Sequence, residues 1–369
     1  MKLAVPIVNR TNYSKLRPVL SCLSKDIDIR IILSSSILLE KYGNAFRDIE
    51  AEYSIDSRLD IALMNDSVES MSKASALSML EHSSAYRRIN PDAVLIVGDR
   101  FDMLPAALSA KMMNIPILHI QGGERSGTID DYIRDIISVC AEEHYVSTKK
   151  SAENVSKIAH SKKIYHTGCP AVESLYSVDI GEYFDGNNLH KKFKNSVDIY
   201  PRDKFFLVLV HPNTVEEDDV NMDAVLNAAE SFEHKIVLFY PNVDASNSDI
   251  LSVIRSHQKK YPYIVIKHAP FIDFVSMMAH CSCMISNSSS SIREAASFGT
   301  PVVNVGDRQF AREKNANTID CQCNYQEIRS AISKGLEVGK YPIDNIYYKK
   351  NAAQNIALHI KNFKNQLSK

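Results

Sequence analysis

Two short apolar runs, Val94–Val97 and Ile115–Leu118, bracket a segment, Asp102–Met113, whose apolar residues Leu104, Ala107, Leu108 and Met112 recur at helical spacing. Strand, helix and strand in that order must cross over so that the two strands run parallel. Parallel strands end on one edge of their sheet, and open α/β sheets bind ligands at that edge. The residues just beyond each run therefore bear on function. Gly98-Asp99-Arg100 comes after the first, and His119-Ile120-Gln121-Gly122-Gly123-Glu124 after the second. One short segment thus delivers Asp99, Arg100, His119 and Glu124 to a single crevice.

The same alternation runs through the chain. Candidate strands in the first half are Lys2–Val8, Ile27–Leu33, Asp60–Met64, Ala93–Val97, Ile115–Ile120, His144–Val146 and Ile164–Thr167. In the second half they are Phe205–Val210, Lys235–Phe239, Tyr263–Lys267, Cys283–Ser286 and Pro301–Val305. Such βα alternation predicts doubly wound parallel sheets, an α/β fold. With 369 residues there is chain for about two domains. The stretch from Glu173 to Tyr200, with Gly181, Gly186-Asn187-Asn188 and few apolar positions, marks the boundary. We expect Rossmann-like domains over 1–175 and 200–350, with a cleft between them. The amphipathic tail, about 351–369, packs back on the first domain or stays with the second.

Several classes of function are excluded at this level. Net charge is −1 and no Lys/Arg block stands out, so a nucleic-acid partner is not expected. There is no 18-residue apolar run to span a membrane. Polar Asn9-Arg10-Thr11-Asn12 cuts the first apolar run short, which argues for a buried strand over a signal peptide. The seven cysteines include the C-x-C pairs Cys281/Cys283 and Cys321/Cys323 but no metal-ribbon spacing, so reduced thiols and a cytoplasmic location are expected.

The second-half strands also exit into polar residues: His211-Pro212, Tyr240-Pro241-Asn242, His268-Ala269-Pro270-Phe271, Asn287 with Ser288–Ser291, and Gly306-Asp307-Arg308. The serines precede a helix expected over Ile292–Phe298, stopped by Gly299 and Pro301. A helix start offers free N–H groups and positive dipole, which suit a phosphate. Ser291-x-x-Glu294 reads equally as a capping box, which would leave Ser288 and Ser289 to a ligand. His211 is either a hydrogen-bonded structural residue or, with Arg10, Arg100 and Arg308, part of a cationic set for a diphosphate.

These residues resemble a known family. Asn9-Arg10-Thr11-Asn12-Tyr13-Ser14, Gly98-Asp99-Arg100-Phe101-Asp102, His119-Ile120-Gln121-Gly122-Gly123-Glu124 and Ser126-Gly127-Thr128-Ile129-Asp130-Asp131 look like motifs of the hydrolysing UDP-N-acetylglucosamine 2-epimerases. So do His211-Pro212, Pro241-Asn242, His268-Ala269-Pro270-Phe271, Asn287-Ser288-Ser289, Arg293-Glu294, Phe298-Gly299-Thr300-Pro301 and Arg308-Gln309, in the family's order. The family includes bacterial sialic-acid enzymes and the epimerase part of an animal bifunctional epimerase/kinase. The kinase part is not expected here.

The resemblance implies a GT-B-like fold with the active site in the interdomain cleft, no metal or other cofactor, and a homo-oligomer, either dimer or tetramer. It also implies conversion of UDP-GlcNAc and water into N-acetylmannosamine and UDP for nonulosonic-acid synthesis, through a glycal-like intermediate. By the family's pattern Asp99, Glu124, Asp130 and Asp131, with Gln121 beside them, sit at the reacting carbons. Arg10, Ser14, Arg100, His211, Asn242, Ser288, Ser289 and Arg308 would hold the diphosphate. Glu294 would hold the ribose, and His268 with Phe271 the uracil. Three positions depart from common family residues: Gln121 (often Glu), Asn12 (Asp) and Asp135 (His). They leave open a UDP-2,4-diacetamido-trideoxy sugar as substrate. A GT-B glycosyltransferase and an inactive nucleotide-sugar binder are the readings outside the class.

Overall fold

The computed structural model describes residues 1–23, 26–39, 45–61, 67–98, 100–180, 203–212, 220–241, 247–267 and 269–367. The chain forms two compact units. One comprises Met1–Arg125, Ile129–Ser174 and Tyr347–Lys369, the other Ser126–Thr128 and Leu175–Ile346. Most of the anticipated boundary, from 181 to 200, lies outside the described residues.

In the first unit the chain runs β1 (Lys2–Ile7), α1 (Arg10–Leu23), β2 (Asp28–Ser34), α2 (Ala45–Glu52), β3 (Ile55–Leu59), α3 (Val68–Ile89) and β4 (Ala93–Val97). It continues as α4 (Leu104–Met112), β5 (Ile117–Ile120), α5 (Ile129–Cys140), β6 (Glu143–Val146), α6 (Lys149–Ile158), β7 (Ile164–His166) and α7 (Pro170–Leu175). The seven strands pair in parallel in the order β3-β2-β1-β4-β5-β6-β7. Central strands such as β4 are buried throughout, as expected where helices cover both faces. The third strand lies at Ile55–Leu59, N-terminal to the expected Asp60–Met64, of which residues 62–64 lie outside the described residues. Polar Asp56, Ser57 and Arg58 hide it from a search for apolar runs.

The second unit carries β8 (Phe205–Leu209), α8 (Met222–Glu230), β9 (Lys235–Phe239), α9 (Asn247–Gln258), β10 (Ile264–Ile266) and α10 (Phe271–His280). Next come β11 (Cys283–Ser286), α11 (Ser289–Glu294), β12 (Val302–Val305), β13 (Thr318–Cys321) and α12 (Tyr325–Val338). The sheet is again wholly parallel, in the order β10-β9-β8-β11-β12-β13. Edge strand β13 is half-exposed and has no apolar run to announce it. Helix α11 starts earlier than expected. Ser288, not Ser291, is its N-cap, and the Ser291 hydroxyl donates back to the Ser288 carbonyl at 2.6 Å. The cap therefore accounts for Ser288 itself.

The last helix, α13 (Ala352–Leu367), returns to the first unit, where Ile356, Ile360 and Phe363 join Leu16, Leu20 and Leu23 of α1 in one core. Each such side chain contributes about 1.5–3 kcal/mol on burial. No helix among the described residues is long and apolar enough to cross a membrane.

Helix α3 buries His82 completely, with Nδ1 2.8 Å from the Ser78 carbonyl. Burial pulls the imidazole down to about 4. The unfolded chain takes up this proton near pH 6.5, the folded chain only near 4. Stability from this group is thus present above pH 6.5 and lost as pH falls towards 4, by about 3 kcal/mol in all. We expect urea midpoints of the first unit to fall between pH 7 and 4.5, and to fall less in His82→Leu. An unchanged pH dependence in that variant would refute the assignment.

Candidate active site

In both sheets the strand order reverses beside the first strand, between β1 and β4 in one unit and between β8 and β11 in the other. Such switch points open a crevice at the strands' C-terminal ends. A buried asparagine spans each. In the first unit the Asn12 amide nitrogen donates to the Val97 carbonyl at the end of β4 (3.2 Å). Its oxygen accepts from Val8 N–H just beyond β1 (3.4 Å). A carboxylate at this position would have no N–H to give Val97, which is what Asn12 adds. His119, fully buried on β5, reaches the Gly98 carbonyl through Nε2 (3.3 Å) and Ser138 Oγ through Nδ1 (3.1 Å). The turn after β4 is thereby held from both sides. Arg100 Nε lies 3.6 Å from buried Asp102, which also accepts from Ser35 Oγ (3.2 Å).

The loop leaving β5 carries the greatest backbone constraint. Gln121 is buried with φ +68°, a left-handed conformation a non-glycine residue holds only where its surroundings fix it. Its backbone N–H donates to Tyr145 O (2.9 Å), and its amide nitrogen donates to Cys169 Sγ (3.3 Å). The Gly123 carbonyl accepts from Asn154 Nδ2 of α6 (2.9 Å). Glu124 is 6% exposed, and its carbonyl accepts from Arg134 Nη1. Asp130 and Asp131 fall in the first turn of α5, where the helix dipole favours negative charge. The Asp131 carboxylate accepts from Arg134 (2.6 Å). Asp135 pairs with Arg125 at 2.8 Å, both about one-third exposed.

In the second unit Asn287, directly after β11, takes the His211 N–H on its Oδ1 and gives its Nδ2 hydrogen to the His211 carbonyl, both at 2.8 Å. Arg308 Nη1 donates to the Asn287 carbonyl (3.1 Å). Ser288 and Ser289 open α11, with the Ser288 side chain capping Ser290 N–H. His211, Ser288 and Arg308 are therefore gathered around one asparagine at the switch point. Glu294 closes α11, half-buried, and Phe271 begins α10, 42% exposed.

The family model for UDP-N-acetylglucosamine 2-epimerase matches residues 22–361, most of the chain. The chain belongs to this family. It is 33% identical over 344 residues to the UDP-N,N'-diacetylbacillosamine 2-epimerase (hydrolyzing) of Legionella pneumophila, covering 92% of this chain and 89% of that protein. A GDP/UDP-N,N'-diacetylbacillosamine 2-epimerase (hydrolyzing) of Campylobacter jejuni is 29% identical over 311 residues, 81% of this chain and 78% of its own length. The fold matches that of the Neisseria meningitidis UDP-GlcNAc 2-epimerase solved with UDP-GlcNAc. The TM-score is 0.80 at 19% identity, over 98% of this chain and all of that one. The GT-B-like fold is thus shown.

For this member of the epimerase family, the first unit brings Gln121, Glu124, Asp130 and Asp131 onto one loop and helix start, beside Arg100 at the neighbouring strand end. Arg10 begins α1 and is exposed, while the half-buried Ser14 spends its hydroxyl on the Thr11 carbonyl (2.9 Å). Asp99, Asn242 and His268 lie outside the described residues. Two groups escape a sequence-based search for site residues. Asn287 is visible there as the residue after a strand and as part of a motif, with no role of its own. Arg134 is visible only as a cation three residues after Asp131 on the apolar side of α5. All seven cysteines are free thiols, and no cluster of three His, Cys, Asp or Glu side chains fit for a metal occurs among the described residues.

Proposed function

We propose that this protein is a hydrolysing 2-epimerase of a UDP-2,4-diacetamido-trideoxy sugar. The observation that carries this reading is the 33% identity, over nine-tenths of the chain, to an enzyme named for that activity. A base removes the proton from C2 of the sugar while the C1–O bond to UDP breaks, its electron pair leaving with the diphosphate and C1=C2 forming. Water then adds at C1, and C2 is reprotonated on the opposite face, releasing the epimerised sugar. The reaction needs carboxylates near C2 as base and acid, and cations and N–H donors on the departing diphosphate.

Asp99, Glu124, Asp130 and Asp131 are the groups we assign to the first task. Gln121 carries an amide and moves no proton, so it serves the sugar by hydrogen bonding. Arg10, Ser14, Arg100, His211, Asn242, Ser288, Ser289 and Arg308 are assigned to the diphosphate and its surroundings, Glu294 to the ribose, and His268 with Phe271 to the uracil. UDP-GlcNAc, the substrate the motifs alone suggest, is the second reading. The solved Neisseria enzyme bound to that sugar nucleotide supports it.

Incubation of the protein with each sugar nucleotide in D2O, followed by proton and phosphorus NMR, separates the two. We expect UDP release and a C2-deuterated free sugar from the diacetamido substrate, at a kcat/KM at least about tenfold above that for UDP-GlcNAc, the discrimination one or two lost polar contacts supply. Preference for UDP-GlcNAc would reverse the assignment. Binding of UDP with turnover of neither would leave a nucleotide-sugar binder.

A further inference from the structure

Arg134 sits in the middle of α5 and is 1% exposed. A buried guanidinium persists only where its charge is matched and its hydrogens are accepted. Here one nitrogen, Nη1, donates both to the Glu124 backbone carbonyl and to Asp131 Oδ1. Asp131 lies three residues earlier on the same helix, the spacing at which side chains meet. Glu124 lies ten residues earlier, at the end of the constrained loop from β5. A single side chain therefore ties that loop to the first turn of α5.

We propose that Arg134 is a positioning residue that sets Glu124 and Asp131 in fixed register with each other. This rests on the proposed epimerase function, in which these carboxylates serve the reaction at C2. Through its bond to the Glu124 main chain Arg134 fixes where that side chain starts. Through its ion pair it fixes where the Asp131 charge stands. Lysine carries its charge as a compact ammonium on a flexible stem and does not hold the fixed position that the planar guanidinium gives Nη1. The neighbouring Arg125–Asp135 pair ties the adjacent loop residue to the same helix, but at the surface, where such pairs contribute little. It supplies the control.

The test compares the unaltered protein with Arg134→Lys, Arg134→Ala and Arg125→Gln. For each, thermal melting, UDP binding by calorimetry and NMR-monitored turnover are measured. Arg134→Lys, which keeps charge and bulk, should remain folded and bind UDP within about threefold of the parent. Its kcat should drop about 100-fold, the scale on which a displaced reacting group costs rate. Arg134→Ala should regain turnover with guanidinium at sub-denaturing concentration, and not with urea or with sodium chloride of equal ionic strength. Arg125→Gln should keep kcat within about threefold. Parent-like kcat in folded Arg134→Lys would overturn the proposal. So would an Arg134→Ala deficit that guanidinium does not relieve, or an equal loss in Arg125→Gln. Absence of turnover in the unaltered protein would overturn the epimerase reading and this inference with it.

Discussion

Replacing Glu124 by Gln should lower kcat by about 10³-fold, within the range general acid–base groups contribute, while leaving UDP affinity within about threefold. The expectation comes from how the residue is held. Its side chain is almost completely buried and its main chain is fixed by Arg134. An amide of the same shape therefore fills the same space and removes only the capacity to carry a proton. Single-turnover NMR measures the chemical step and calorimetry the binding. Parallel loss of both would assign Glu124 to holding the nucleotide and would move the proton chemistry to Asp99, Asp130 or Asp131.

Much of this arrangement is legible in the sequence, for identifiable reasons. Strands buried on both faces read as unbroken apolar runs, so Ala93–Val97, Lys235–Phe239 and Cys283–Ser286 are recovered without error. Gly299, at φ +61°, ends the helical segment after the serines where its position suggests. Less legible are elements whose stabilisation comes from outside their own segment. The strand Ile55–Leu59 carries three polar residues and is fixed by pairing with β2. Edge strand Thr318–Cys321 is fixed by pairing with β12.

The site shows the same division. A carboxylate at a strand exit is visible as a residue type in a position. The groups that pin the backbone around the strand exits are not, because Asn12, Asn287 and Arg134 act through contacts 85, 76 and 10 residues away in sequence. The serine run misleads for a related reason. Capping boxes are recognised by spacing, and Ser288 and Ser291 both precede helical residues. Only the backbone conformation, extended at Ser288, decides between them.

A large effect on stability should come from Gly123→Ala. Gly123 has φ +78°, and a methyl group there would stand 2.2 Å from the Ser151 carbonyl oxygen and 2.7 Å from Val155 Cγ2. The nearest atom belongs to the backbone of α6, so no rotamer change relieves the collision. The loop itself must move away from the helix. Overpacking and left-handed strain together cost about 3 kcal/mol, which lowers the melting temperature of a domain this size by about 6–12 °C.

Glu124 is the next residue, so the displaced loop should also lose about 100-fold in kcat at temperatures where the variant is still folded. Gly339 provides the comparison, because its φ is +73° but nothing lies within 4 Å of an added methyl group. Gly339→Ala should carry the backbone strain alone, about 1 kcal/mol, with kcat unchanged. Equal melting temperatures for the two variants would show that backbone handedness, and not the close approach of loop to helix, makes glycine necessary at position 123.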